Sequence, residues 1–279
     1  MSPGLSWTPD LGNVLALAAY AGLYAWRWTA ARRSHGPEAA SAARAATFAA
    51  GLLALSIALV SPLDRLGEQL FVMHMVQHVL LIDLAAILLL LGLTPALLEP
   101  LARAMDRAPR LKGLLARPTF AVAFYAITLW AWHAPPLYGS ALQSPAVHAL
   151  QHLSFAAAGL LFWWHVVSPL RSKERLGGPA VALYFAGAKL LNGALATAIV
   201  FWPTVLYPFY AGQGPFWGLD PLEDQELGGA VLIIEESALL FVAFIGTFFR
   251  MLGESEAAER EREELEDLHL APDDQRTPA

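Results

Sequence analysis

Long apolar runs separated by short polar stretches set the pattern of this chain. Seven runs cover residues 11–29, 44–62, 69–92, 118–134, 146–168, 179–202 and 228–250. An α-helix of about 20 apolar residues crosses the hydrocarbon core of a bilayer. Within that core every backbone N–H and C=O must be bonded internally, so the runs predict helices. The expectation is an all-α, polytopic membrane protein with seven transmembrane helices. Residues 1–253 form the membrane domain, and 254–279 form a charged tail. The tail begins as a helix-former, ESEAAEREREELEDLHL, and ends in APDDQRTPA, which is expected to be disordered. No tandem repeat and no second domain are visible.

Basic residues collect in alternate loops. Arg27, Arg32, Arg33 and Arg44 flank the first. Arg103, Arg107, Arg110, Lys112 and Arg117 fill the third, Arg171, Lys173 and Arg175 the fifth, and Arg250 ends the last run. Arg65 is the one basic residue in the loops of the opposite side. Short cytoplasmic loops accumulate Lys and Arg, which predicts an external N-terminus and a cytoplasmic C-terminus. The external loops 134–145 and 203–227 are rich in Pro, Gly and aromatic residues and are expected to pack over the membrane surface.

Composition sharpens this picture. Hydrophobic residues make up 56% of the 279 and charged residues 15%, well below the roughly one quarter usual in soluble domains. The opening MSPGLSWTPD lacks a basic region and leads directly into the first run, so no cleavable signal peptide is expected. Absence of cysteine excludes disulfides and thiolate metal sites. The net charge of −6 comes largely from the tail. Membrane lipid is the expected surrounding, and no nucleic-acid partner is expected.

With this orientation the histidines share a depth. His74 and His78 fall in the outer third of the third run, His133 at the outer end of the fourth, and His148 and His152 in the outer third of the fifth. Positions i and i+4 share a helix face, so each His-x-x-x-His pair can turn two imidazoles toward one object. Neutral imidazole is the commonest metal ligand. Met75, close to the same face, adds a thioether that selects soft Cu(I). Interhelical hydrogen bonding is the competing role for such histidines. His165, near the inner end of the fifth run, is assigned to that role, and His35 and His269 to solvated segments.

Other polar groups lie within the runs. Asp83 is expected to pair with Lys189 as a buried ion pair, near Asn192. Glu235 and Glu236 are candidate metal ligands, hydrogen-bond partners to a histidine, or acids kept protonated by burial. Asp224 belongs to an acidic group with Asp220, Glu223 and Glu226, expected to cap the last helix in solvent or to attract a cation, and is a further candidate metal ligand or hydrogen-bond partner to one.

SPLDRLGEQLFVMHMVQHVLL, WHAPPLYGSALQSPAVHALQHLSFAAAGLLFWWHVVSPL and LYPFYAGQGPFWGLDPLEDQELGG together resemble the seven-span CtaG-type cytochrome c oxidase assembly factors. The resemblance runs from about residue 45 to 250. It implies a non-enzymatic protein of the bacterial inner membrane that helps assemble haem–copper oxidase, with copper delivery as the suggested role. The implied partners are the oxidase subunits, subunit I first, and an extracytoplasmic copper donor. The motif positions are His74, Met75, His78, His133, His148, His152, Asp224 and Gln225. One departure is AVLIIEESALL after the Gly-Gly, where the family often carries Met-Trp and a Pro-Gly break. Glu235 and Glu236 stand there instead, implying a straighter last helix.

Two other readings remain. A haem-binding cytochrome would use one histidine each from the third and fifth runs; His152 and His165 also have near haem-stacking spacing. A transporter would use Asp83, Lys189 and the glutamates, although such sites lie near the midplane on broken helices.

Overall fold

The computed structural model describes residues 3–7, 9–170, 176 and 179–270, leaving aside the side chains of 243, 247, 250, 254, 258 and 264–270. Arg171, Lys173 and Arg175, the Arg250 and His269 side chains, and the segment 271–279 therefore lie outside the described residues. Among the described residues seven long helices follow the apolar runs: α1 (Leu11–His35), α2 (Ala42–Val60), α3 (Phe71–Gly92), α4 (Pro118–His133), α5 (Pro145–Val167), α6 (Pro179–Phe201) and α7 (Pro221–Leu270). Among the described residues there is no strand.

The helix starts are written in the sequence. Asp10 and Ser41 accept hydrogen bonds from the N–H groups of Asn13 and Arg44, and α4 to α7 each begin at a proline. Proline suits the first helical turn because its missing N–H would have no partner there.

Among the described residues five helices are long and apolar enough to cross a membrane; the count reaches six if Pro109–Leu115 and α4, bent by 73° at their junction, form one span. This is below the expected seven. In α1, Asn13, Arg27 and the aromatics Tyr20, Tyr24, Trp26 and Trp28 dilute the apolar run. Alone, α4 has 16 residues.

The most buried candidate span is α3, which packs against α2, α5 and α7, while α6 and α7 run together along one flank. Its middle, Leu80–Ala85, is a π-helical turn. Such a turn widens the helix by one residue and re-aims its side chains. Gly159 of α5 lies against it, and a Cβ there would sit 1.9 Å from the Ile82 carbonyl oxygen. No residue but glycine fits this crossing.

The bundle has two distinct ends. At one, the short helices Pro62–Gly67, Pro135–Gln143 and Pro208–Ala211 close over the histidine-bearing turns. At the other, Pro95–Asp106 and Pro109–Leu115 meet the basic residues. There Arg27 donates to the carbonyls of Ala96 (2.9 Å) and Leu97 (3.2 Å), and Arg44 donates to that of Leu91.

The last helix is continuous over 50 residues, roughly 75 Å at the usual rise. The division at 253/254 is therefore a change of composition within one helix.

Candidate metal centre

The first turn of α3 is held from a distance. Asp224, 3% exposed, accepts hydrogen bonds from the N–H groups of Phe71 (2.6 Å) and Val72 (3.0 Å). It was expected to lie in solvent at the head of its own helix. Instead Asp220 caps α7, accepting from Leu222 and Glu223 N–H while Glu223 accepts from Asp220 N–H. Asp224 supplies the missing cap to the histidine helix, where Leu70 has no side chain able to do so. Its neighbour Gln225 accepts from Leu206 N–H (2.6 Å) and donates to the Ile199 carbonyl (3.2 Å). Gly228 lets α7 approach closely, since a Cβ there would meet the Phe71 ring at 2.3 Å. The Asp-Gln-x-x-Gly-Gly stretch thus fixes the position of α3.

Five histidines converge just inside this clamp. His74 and His78 lie 4.3 Å apart by ring centroid on α3, and His148 and His152 lie 4.1 Å apart on α5. Across the interface, His74 is 5.4 Å from His148 and 6.3 Å from His152, and His78 is 5.9 Å from His152. His133, from the end of α4, stands 5.8 Å from His78. Ring nitrogens of His74, His78 and His152 come within 4.8 Å of one another. All but His148 are buried, and His148 is half-buried.

Their hydrogen bonding is unusual. His133 Nδ1–H donates to the Leu129 carbonyl at 2.8 Å, leaving Nε2 to face Met75 Sδ at 3.4 Å. In contrast, Nε2 of His74, both ring nitrogens of His78, and Nε2 of His148 and His152 are buried without a partner. So is the Oε1 of Gln77. Buried polar atoms without partners are costly and uncommon. These atoms form one buried polar layer between α3, α4 and α5, the histidine chamber.

Aromatic side chains roof this chamber. Tyr210 donates to the Gly67 carbonyl (2.8 Å) and lies 3.4 Å from His74 Nδ1, Tyr207 donates to the His133 carbonyl (2.9 Å), and Tyr138 meets Tyr210 at 3.2 Å. Burial pushes all three hydroxyls above the ordinary tyrosine value. They are neutral donors, not tyrosinate ligands.

The tyrosines and glutamines are additions to the expected set. The glutamines carry a readable signal, since MHMVQHV and VHALQHL both contain His-x-x-Gln-His. The tyrosines come from two loops far apart in the chain and carry none.

Glu235 and Glu236 join a deeper cluster instead. The expected Asp83–Lys189 pair does not form. Lys189 binds Glu236 (3.2 Å) and Ser237 Oγ (3.1 Å), and Asp83 accepts from Trp163 Nε1–H at 2.7 Å with Tyr125 OH at 3.4 Å. The π turn aims Asp83 toward α4 and α5, while Lys189 points along the α6–α7 seam. His165 bonds the Leu115 carbonyl at 3.1 Å, at the opposite end from the cluster.

An all-helical bundle of membrane-length helices enclosing a layer of unpartnered imidazoles defines a polytopic membrane protein with a polyhistidine chamber. The chain belongs to the cytochrome c oxidase caa3 assembly factor family (Caa3_CtaG), whose family model matches residues 22–254. It is thus a cytochrome c oxidase assembly factor. No curated protein and no solved structure matches the chain.

Proposed function

We propose that this assembly factor carries copper as cargo in the histidine chamber and delivers it to the oxidase without itself being an enzyme. The observation that carries the reading is the set of five unpartnered ring nitrogens on His74, His78, His148 and His152. His74, His78 and His152 are the primary ligands. His148, the most exposed of the five histidines, receives the ion at the mouth beside Asp64 and Glu68, whose charges act on it. Met75 and His133 add a thioether and an imidazole at the back.

Every one of these donors is neutral. Placing an ion among them leaves its charge uncompensated in a medium where charge burial is expensive, which favours Cu(I) over Cu(II). The thioether points the same way. Haem is less suited, because His78 lies against Phe155 at 4.4 Å and His74 against Tyr138 at 5.2 Å. A macrocycle needs a flat slot between its axial ligands, and these contacts fill it.

The chain crosses the membrane seven times, with α1 and α4 completing the set. The basic residues face the cytoplasm and the chamber faces outside, in the inner membrane of a bacterium. From that side copper arrives from an extracytoplasmic donor and passes to subunit I, whose own copper site is buried at comparable depth. A strain lacking this chain should make oxidase that retains haem but is depleted in copper. Wild-type protein should restore the copper and His78→Ala should not; normal oxidase copper in the deletion strain would refute the role.

A further inference from the structure

Beneath the histidine chamber lies a second polar cluster that copper binding alone does not use. Asp83 sits five residues beyond His78 on α3, about 7.5 Å deeper by the helix rise. The groups facing it are Tyr125 from α4, Trp163 from α5, Lys189 and Asn192 from α6, and Glu235 and Glu236 from α7. Asp83, Tyr125, Lys189, Asn192 and Glu236 line a cavity of about 30 Å³, room for about one water molecule.

The cluster contains three carboxyl groups and one ammonium. Lys189 is committed to Glu236 at 3.2 Å. Asp83 and Glu235 remain, with their carboxyl groups within hydrogen-bonding reach of each other. Two carboxylates cannot share such a contact unless a proton lies between them. Trp163 N–H and Tyr125 O–H both point at Asp83, marking it as the acceptor. Glu235 Oε1 is buried with no donor aimed at it, so Glu235 carries the proton. Asn192 Oδ1 is also unpartnered, in a side chain 3% exposed. It offers an acceptor on the cavity wall for a water that relays the proton.

We propose that Asp83 and Glu235 form a one-proton site inside the membrane, which releases its proton when a monovalent cation enters the histidine chamber and regains it when the cation leaves. The exchange balances: one positive charge enters, one proton leaves, and the buried charge stays constant. Neutral imidazoles cannot provide this compensation, and the Asp83–Glu235 pair beneath them holds a buried proton that can. This inference rests on the copper reading.

The test uses the full chain in lipid nanodiscs and Ag(I), a redox-inert probe for Cu(I), between about pH 7 and pH 9, where free imidazole is already neutral. Calorimetry in buffers of different ionisation enthalpy should find about one proton released per Ag(I) in the wild type. Affinity should rise roughly tenfold per pH unit while the pair titrates. Glu235→Gln keeps a donor to Asp83 but has no proton to lose, so it should bind Ag(I) without proton release. Equal proton release in the two proteins would overturn the proposal while leaving the copper reading intact. If the wild type binds no Ag(I), the copper reading itself fails. Should Glu235→Gln not fold, the infrared difference spectrum of the wild type decides. Loss of a protonated-carboxyl C=O band on Ag(I) binding supports the exchange, and an unchanged band overturns it.

Discussion

Asp224→Ala tests how the chamber is held. The carboxylate accepts two backbone hydrogen bonds, from Phe71 at 2.6 Å and Val72 at 3.0 Å, while 3% exposed. A hydrogen bond to a charged group contributes about 1.5–3 kcal/mol, so the pair contributes about 3–6 kcal/mol. Water has little access to replace it, and the two orphaned N–H groups stay buried. Scaled by values for chains of this size, the low end alone lowers Tm by roughly 5 °C. Asn keeps one carbonyl acceptor but not the charge, and its loss should fall near half that of Ala. Because His74 lies within one turn of the cap, the Ala variant should also lose cation affinity. Thermal unfolding of the wild type, Asp224→Asn and Asp224→Ala in one detergent, with Cu(I) titrations alongside, measures both effects. An Ala variant within about 1 kcal/mol of wild type, the range of ordinary substitutions, would refute the clamp.

Gly159→Ala should destabilise the bundle by at least about 3 kcal/mol, because its Cβ would meet a backbone oxygen that can move only with the π turn; near-native unfolding would contradict this crossing. Reporter fusions at Gly139 and after Gly253 should report opposite sides of the membrane, and finding both on one side would undo the depth argument. Deletion of residues 254–279 should leave insertion and copper content intact, because the tail lacks the apolar surface to form a core; loss of assembly with normal copper would make the tail a docking element.

Periodicity and length carried the helices well. The runs 146–168 and 179–202 correspond to Pro145–Val167 and Pro179–Phe201, since a lipid-facing helix must be apolar along its whole length. The histidine layer was legible for a related reason. Two i,i+4 pairs at one depth have few places to point except toward each other. Partner choice among buried charges was not legible. Asp83 and Lys189 look matched by depth, yet a π turn decides where Asp83 points, and its six residues, LLIDLA, read as ordinary apolar helix. The role of Asp224 depends on a contact 153 residues away along the chain. Local sequence could mark it as a cap, but not of which helix.

The most direct test of the central claim is copper per mole of monodisperse protein, purified without a polyhistidine tag, in the wild type, His74→Ala, His152→Ala and the double variant. Ligands acting as one unit give non-additive losses. Each single variant should therefore lose most of its copper, and the double variant should be little worse. Asp83→Asn should keep wild-type copper at saturation. Unchanged copper in the double variant, with additive loss of stability from each histidine, would instead make the cluster a set of helix–helix contacts and contradict copper carriage.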